Sequence, residues 1–259
     1  MKNFFSNLFA KNSTLTTDQL ILKKTVISFF FFFVFIGGAV WAWKTLRQQP
    51  RTADGANPII RAALNTNEAI FKGLISEKKL AKEYPVSLAA RPARVNGDFG
   101  LKSKLDSAAW TMNVVRKNGD TLKIKLADIK KLPKTEVVFN FKCIEGWSQV
   151  THWGGVRFSD FIKAYSLGDE KDMKYVGLST PDKEYYVGID MPSAMHPQTL
   201  LCYELNDQPL PINQGYPIRL IIPVKYGVKS IKRIGMMYFD NTRPKDYWAE
   251  KGYDYFSGL

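Results

Sequence analysis

The chain of 259 residues is poor in sulfur and imidazole, with two cysteines and two histidines. Two cysteines cannot build a disulfide framework. There is no CxxC pair and no CxxCH run, which excludes a zinc knuckle and a covalently attached haem. Two histidines alone make a poor metal site. Acidic side chains are also short in supply: 24 Asp and Glu face 37 Lys and Arg, for a formal charge of +13. The basic residues are spread along the chain and not gathered in a tail. The excess therefore does not read as a nucleic-acid footprint, and no nucleic-acid partner is expected. There is no internal repeat, and the one low-complexity stretch is a run of phenylalanines.

Apolar residues, by contrast, are plentiful. Hydrophobic side chains make up 45% of the chain and aromatics 14%, enough for a sizeable core. The length suits one large domain with an appendage. The run "TVISFFFFFVFIGGAVWAW", Thr25 to Trp43, carries no charge. As a helix it is about 28 Å long, close to the hydrocarbon thickness of a bilayer. Trp41 and Trp43 stand at one end, where interfacial aromatics sit. A cleaved signal peptide has a shorter apolar region followed by a small-x-small site. Here "KTLRQQPR" follows, so the run reads as an uncleaved anchor in a lipid bilayer. Lys23 and Lys24 before it point to an N-terminus inside and the bulk of the chain outside. The expected location is the inner (cytoplasmic) membrane, single-pass, with an extracytoplasmic, periplasmic domain.

Four segments follow from the pattern. Residues 1–24 form a tail in which Phe4, Phe5, Leu8 and Phe9 allow a short amphipathic turn against the membrane. Residues 25–43 are the transmembrane anchor. Residues 44–89 are a linker and a helical arm: Ile60, Leu64, Phe71 and Leu74 have helical spacing between Pro58 and Pro85, with Asn65 or Thr66 as the cap of a second helix. Residues 90–259 are the main domain, where short apolar runs alternate with Gly, Pro and Asn/Asp turns. Asn118-Gly119 between "WTMNVV" and "TLKIKLADI" is a strong hairpin signal. "TEVVFNFKC", "MKYVGLST", "KEYYVGI", "YPIRLIIPV" and "IGMMYFD" read as strands. "RFSDFIKAYSL" and "PSAMHPQTLLCYEL" contain helical stretches. The fold class is α+β: a β-rich domain preceded by one transmembrane helix and a short helical arm.

One cysteine lies in "FNFKCIEGWSQVTHW", Phe139 to Trp153, at the end of an apolar strand. Alone, Cys143 reads as a buried structural thiol. Three further stretches change that reading: "ARPARVNGDFGL" from Ala90, "MHPQTLLCYELNDQPLPINQGYPIRLIIP" from Met195, and "VKYGVKSIKRI" from Val224. With "CIEGWS", "WGGV", "AMHPQTLL", "PIRLIIP", "KYGVKSIK" and "YWAEKGY" in this order, the chain resembles the sulfite-oxidase-fold molybdopterin oxidoreductases. The likeness is to the bacterial branch that includes the protein-methionine-sulfoxide reductase catalytic subunit. It runs from about Asn67 to Leu259.

The resemblance implies a molybdenum-molybdopterin (Moco) cofactor. A soft thiolate suits a soft metal, and Cys143 matches the family's metal ligand and catalytic position. A pterin phosphate needs Arg, Lys and backbone N–H donors. "KYGVKSIK" offers Lys229, Ser230, Ile231 and Lys232, and Arg219 stands on the preceding strand. Without the family, Lys229, Lys232 and Arg233 read equally as the solvated face of an edge strand. Thr180 matches a further cofactor contact. Gln214 takes a place where the family has Asn, and Asn96 is the choice for an N-terminal contact in the stretch Arg94 to Gly97. His152 reads as a surface or packed histidine, with the substrate pocket as the alternative, and His196 as fixing a helix turn; Trp147 and Trp153 read as pocket or core walls, and Cys202 as a small buried hydrophobe.

The implied reaction is two-electron oxygen-atom transfer on a small oxo-compound, sulfoxide- or sulfite-like. This chain has no ligands for a second redox centre, so electrons would pass through a membrane b-type cytochrome or a similar subunit. One departure bears on export. The family crosses the membrane folded, behind a twin-Arg signal, and here Lys23-Lys24 stand in that place. Two other readings compete: a cofactor-free fold kept as a membrane-tethered binding or assembly module, and a basic surface adhering to anionic lipid.

Overall fold

The structure, a computed structural model, describes residues 9–52, 57–72 and 79–259. It divides into two compact units: residues 1–50 with 57–59, and the rest of the chain.

The first unit is built on one helix, α1 (Thr17–Gln48). A capping box starts it. The Thr16 side chain accepts from Gln19 N, and the Gln19 side chain accepts from Thr16 N at 3.0 Å. Asp18 in the first turn and Arg47 in the last suit the helix dipole. The helix thus outruns the apolar stretch 25–43 at both ends, because its polar flanks carry the start and stop signals. No residue of α1 is buried, and its apolar window has a mean hydropathy of 2.2, long and apolar enough to cross a membrane. At the other end of this unit Asn57 makes two bonds. Its Nδ2 donates to Leu46 O at 2.6 Å, and its Oδ1 accepts from Ile59 N at 3.0 Å. The amphipathic turn expected at Phe4, Phe5 and Leu8 lies outside the described residues, as does Leu74 of the arm.

Among the described residues the arm holds one α-helix, α2 (Pro58–Lys72). Pro58 suits a first helical position. Asn65 and Thr66 do not cap a second helix but lie mid-helix: Thr66 Oγ1 donates back to Ala62 O, and Asn65 Oδ1 accepts from Arg243 Nη1 at 2.8 Å. An i−4 backbone bond lets a threonine sit inside a helix, so the local cap signal loses to continuation.

The rest of the second unit holds two five-stranded sheets. The first has the order β2 (Thr121–Ile124), β1 (Met112–Val115), β10 (Met236–Asp240), β5 (Tyr175–Ser179) and β6 (Tyr186–Asp190). All of its pairs are antiparallel except β1 with β10. The second runs β3 (Lys134–Lys142), β4 (Ser148–Arg157), β7 (Leu200–Leu205) and β8 (Gln208–Pro209), with β9 (Arg219–Ile221) also on β7. The Asn118-Gly119 turn joins β1 to β2 as expected, with Gly119 at φ +90°. "LADI" leaves the strand for one helical turn at Leu126–Ile129.

Two strands differ from the sequence reading. "LLCYEL" is β7 and not helix; only Met191–Ala194 ahead of it is helical. The strand is buried on both faces, so it lacks the alternation that marks a strand. β4 escaped notice because Gly154-Gly155 breaks its pattern. Gly155 is required there: a Cβ would lie 2.2 Å from Leu201 O across the β4–β7 bulge. The expected helix in "RFSDFIKAYSL" is α3 (Phe158–Ala164), which buries Phe158, Phe161 and Ile162. The main core gathers Met112, Val114, Val176, Leu178, Ile218 and Met237 among others. A second cluster, around Phe139, Trp153, Leu200 and Cys202, backs the second sheet.

Candidate active site

β3 and β4 form the longest hairpin of the fold, in register from Lys134–Val156 to Lys142–Ser148. Its loop is Cys143 to Trp147. Cys143 N donates to Trp147 O at 2.9 Å, and Gly146 N donates to Cys143 O at 3.1 Å, with Gly146 at φ +88°. A glycine is needed at that left-handed position. The loop therefore holds Cys143 at a fixed point, with its thiol free and 7% exposed, in the wall of a cavity of about 270 Å³.

Six of the nine candidate cofactor and metal residues line this cavity together: Asn96, Cys143, Gln214, Arg219, Ser230 and Lys232. Asn96 Nδ2 donates to Cys143 Sγ at 3.5 Å. Lys232 Nζ donates to the carbonyls of Asn96, Gly97 and Asn213 at 2.8–2.9 Å, which ties the N-terminal stretch to the last third of the chain.

Gln214 fills its place well. It is buried, its Nε2 reaches the Arg94 carbonyl at 3.2 Å, and its Oε1 accepts from Arg219 Nη1 at 3.0 Å. Arg219 in turn donates to the carbonyls of Gln214 and Ser230, both at 3.0 Å, and its guanidinium lies 4.7 Å from the centre of the Trp153 ring.

The charges in the cavity are unusual for a protein interior. Two buried lysines elsewhere in the domain have carboxylate partners: Lys225 meets Asp190 at 2.7 Å, and Lys229 meets Asp246 at 2.5 Å. Among the described residues no carboxylate pairs with Arg219 or Lys232. Burial pulls the Arg219 guanidinium down to about 10. Burial, and then the nearby Arg219 charge, pull the Lys232 ammonium down to about 7. Arg219 Nε and Ser230 Oγ, both buried, have no hydrogen-bond partner. Buried charge and buried polar atoms carry such a cost only where something else meets them. A soft thiol, two unneutralised cations and two orphaned polar atoms in one cavity fit a thiolate-ligated metal cofactor with a phosphate. They do not fit a solvated strand face.

Thr180, Lys229 and Ile231 do not line the cavity. Thr180 is buried beneath Gly100, where a Cβ would come within 2.2 Å of its Cγ2, and its Oγ1 donates to Asp182 at 2.6 Å. Lys229 turns away, donating to Gly188 O at 3.0 Å as well as to Asp246. Ile231 packs in the main core. Arg233 is buried too and donates to the carbonyls of Tyr216, Leu101 and Ser103. His152 points out of the cavity, with Nε2 3.1 Å from Glu136. His196 is buried beside the short helix Met191–Ala194, its Nδ1 accepting from Gln198 N at 3.3 Å. Cys202 lies in the core, where burial pushes its thiol well above the ordinary range.

Sequence reasoning named Trp147 and Trp153 as pocket or core walls, and both line the cavity, but it missed the rest of an aromatic mouth. Phe99, Trp147, Tyr185, Trp248 and Tyr253 line the cavity with Arg94, whose guanidinium lies 4.4 Å from the centre of the Trp147 ring. Phe99 packs against Tyr185, Tyr247 and Trp248, and Trp248 against Tyr253. Burial pushes the Tyr185 phenol far up, so it stays protonated and donates to Val228 O at 2.6 Å. The density of aromatics in "YWAEKGYDYF" was the available signal.

The profile of the family described as oxidoreductase molybdopterin binding domain matches residues 99–248. The chain belongs to this family. As a member it is a molybdopterin-dependent oxidoreductase whose cofactor is the molybdenum cofactor. Two relatives agree. A protein of Azospira oryzae, provisionally described as protein-methionine-sulfoxide reductase subunit YedZ1, is 34% identical over 74% of this chain and 73% of its own length. The protein-methionine-sulfoxide reductase catalytic subunit MsrP of Campylobacter jejuni is 30% identical over 71% of this chain and 68% of its own. These relationships bear out the expected family.

Proposed function

We propose that this molybdopterin oxidoreductase reduces sulfoxides at the cavity walled by Cys143, with its domain held at the outer face of the inner membrane by α1. The observation that carries the reading is the pair of cations without a carboxylate partner, buried Arg219 and half-buried Lys232, in one cavity with a free thiol. When bound, the molybdenum cofactor supplies two-electron redox chemistry coupled to oxygen-atom transfer.

The chain's own residues supply everything around it. Cys143 is the thiolate ligand, aimed by its hairpin loop and supported by Asn96. Arg219, with its unused Nε, and the Ser230 hydroxyl grip the phosphate, and Lys232 adds charge while locking the 94–97 stretch in place. Gln214 holds the Arg219 guanidinium in position. The mouth selects the substrate. A neutral sulfoxide with an apolar tail gains from aromatic walls such as Trp147 and Trp248, and sulfur packs well on rings. A sulfite anion gains little from them.

The net reaction takes a sulfoxide, two protons and two electrons to a thioether and water. The electrons come from a haem-bearing membrane partner, since this chain offers no ligands for a second centre. The relatives named protein-methionine-sulfoxide reductase make a methionine sulfoxide side chain the first substrate to test. Purified protein with cofactor, supplied with an artificial reductant, is expected to turn over methionine sulfoxide and other neutral sulfoxides. Turnover of sulfite alone, with sulfoxides inert, overturns the substrate assignment.

A further inference from the structure

Helix α2 packs on its domain with the wrong face. The buried residues are the charged ones: Arg61 and Glu68 are 5% and 8% exposed. Arg61 Nη2 donates to Ala249 O at 2.9 Å and Nη1 to Tyr253 O at 3.3 Å. Glu68 pairs with Arg243 at 2.6 Å, and Asn65 accepts from the same guanidinium. These positions follow one another around the helix at helical spacing and make a polar docking stripe. The opposite face carries Ile59, Ala62, Ala63, Thr66 and Ile70. Ile59, Ile60 and Ile70 are 53%, 51% and 61% exposed. An amphipathic helix on a soluble domain does the reverse. The apolar face is therefore turned away from the domain.

Two observations say what. The helix begins at the end of α1: Asn57, immediately before Pro58, hydrogen-bonds both Leu46 O in the last turns of α1 and Ile59 N in the first turn of α2. If α1 spans the bilayer, Ile59 starts at its surface. The flanks are basic as well. Lys44 and Arg47 precede the helix, and Lys72, Lys78, Lys79 and Lys82 end or follow it. That is the charge an anionic headgroup layer attracts.

We propose that α2 lies in the membrane interface with Ile59, Ala63 and Ile70 among the acyl chains, as a second, monotopic contact that fixes the catalytic domain on the bilayer. It rests on the reading of α1 as a membrane anchor. The contact reaches the site directly, because the 249–253 segment that receives Arg61 also carries Tyr253 of the cavity mouth.

The test is photo-crosslinking of the full chain in vesicles of phosphatidylethanolamine with a minority of phosphatidylglycerol. A benzoylphenylalanine replaces Ile70, with Phe32 of α1 and Asn118 of the β1–β2 turn replaced in parallel. The expected result is a phospholipid adduct at 32 and at 70, with the yield at 70 at least about tenfold that at 118. An adduct at 32 with none at 70 overturns the inference and leaves the anchor intact. An adduct at 70 to another protein, repeated in native membranes, overturns it in favour of a protein partner. No lipid adduct at 32 removes the anchor and the inference together.

Discussion

Consider Arg219→Met in protein prepared without cofactor. Arg219 is 3% exposed, and burial pulls its guanidinium down to about 10. At about 1.4 kcal/mol per pKa unit, holding that charge inside costs the empty fold roughly 3 kcal/mol. Methionine removes the cost. It also removes the hydrogen bonds to Gln214 O, Gln214 Oε1 and Ser230 O, and leaving those acceptors unmet returns about 1–3 kcal/mol. The two effects nearly cancel, so the cofactor-free variant is expected to melt within about 5 °C of the parent. Lys229→Met is the contrast. Its partner Asp246 stays behind, buried and unpaired, for a loss of about 3–5 kcal/mol, or roughly 10 °C. With cofactor present the order reverses for the site. Arg219→Met loses the phosphate grip and with it the stabilisation a tight ligand brings, about 3–4 kcal/mol. The assay is thermal unfolding followed by circular dichroism, with and without cofactor, alongside molybdenum and pterin content. An Arg219→Met protein as unstable as Lys229→Met when empty, and with full cofactor when loaded, would refute the view that this charge awaits an anion.

Four further outcomes are expected. Cys143→Ser folds with stability within about 1 kcal/mol of the parent, retains pterin, and loses turnover together with the sulfur-to-metal absorption; Cys202→Ser, which buries a hydroxyl in the core, loses about 1–3 kcal/mol but keeps turnover. The native pKa of Lys232, about 7, lies below that of an unfolded lysine, so between pH 7 and about 10 the unfolded chain binds the extra proton and the empty protein gains stability as pH rises. Denaturant titrations across that window show the slope, and Lys232→Met or bound cofactor flattens it. Gly100→Ala, at φ +74° with Thr180 in the way of its Cβ, loses about 2–4 kcal/mol by thermal melts, whereas Gly97→Ala, at φ +65° in open space, loses about 1. Carbonate extraction leaves the full chain in the membrane pellet, and protease added to spheroplasts digests the domain; release, or full protection, refutes the anchor or its orientation.

The parts of the fold that showed in the sequence are those whose signals are local. Asn118-Gly119, the short apolar runs of β5 and β6, and the apolar run of α1 each sit within a few residues. The strands that escaped are β7, an apolar run close behind a helical turn, and β4, broken by a glycine serving a distant carbonyl. The site divides in the same way. Cys143, Arg219, Ser230 and Lys232, which line one cavity, were picked out by the resemblance; by residue type alone Cys143 reads as a structural thiol. Charge type alone could not tell Lys229 from Lys232, three residues apart. Lys229 finds Asp246 and Lys232 finds only carbonyls, and that depends on tertiary placement. The inverted packing of α2 was hidden for the same reason: periodicity reveals that a helix has two faces but not which face meets the domain.

The cavity joins residues from both ends of the domain, Asn96 near its start and Lys232 near its finish, with Cys143 on a hairpin between them. That arrangement sets an order of events during synthesis. The hairpin is local in sequence, but the proposed phosphate grip cannot form until Lys232 has left the ribosome. By then α1 has been exposed for about 180 further residues of growth, roughly 10–40 s at common elongation rates. The membrane-seeking part of the chain is thus ready long before the cofactor-binding part. If α1 is the anchor and the cofactor is loaded inside the cell, the anchor has to wait for that interval.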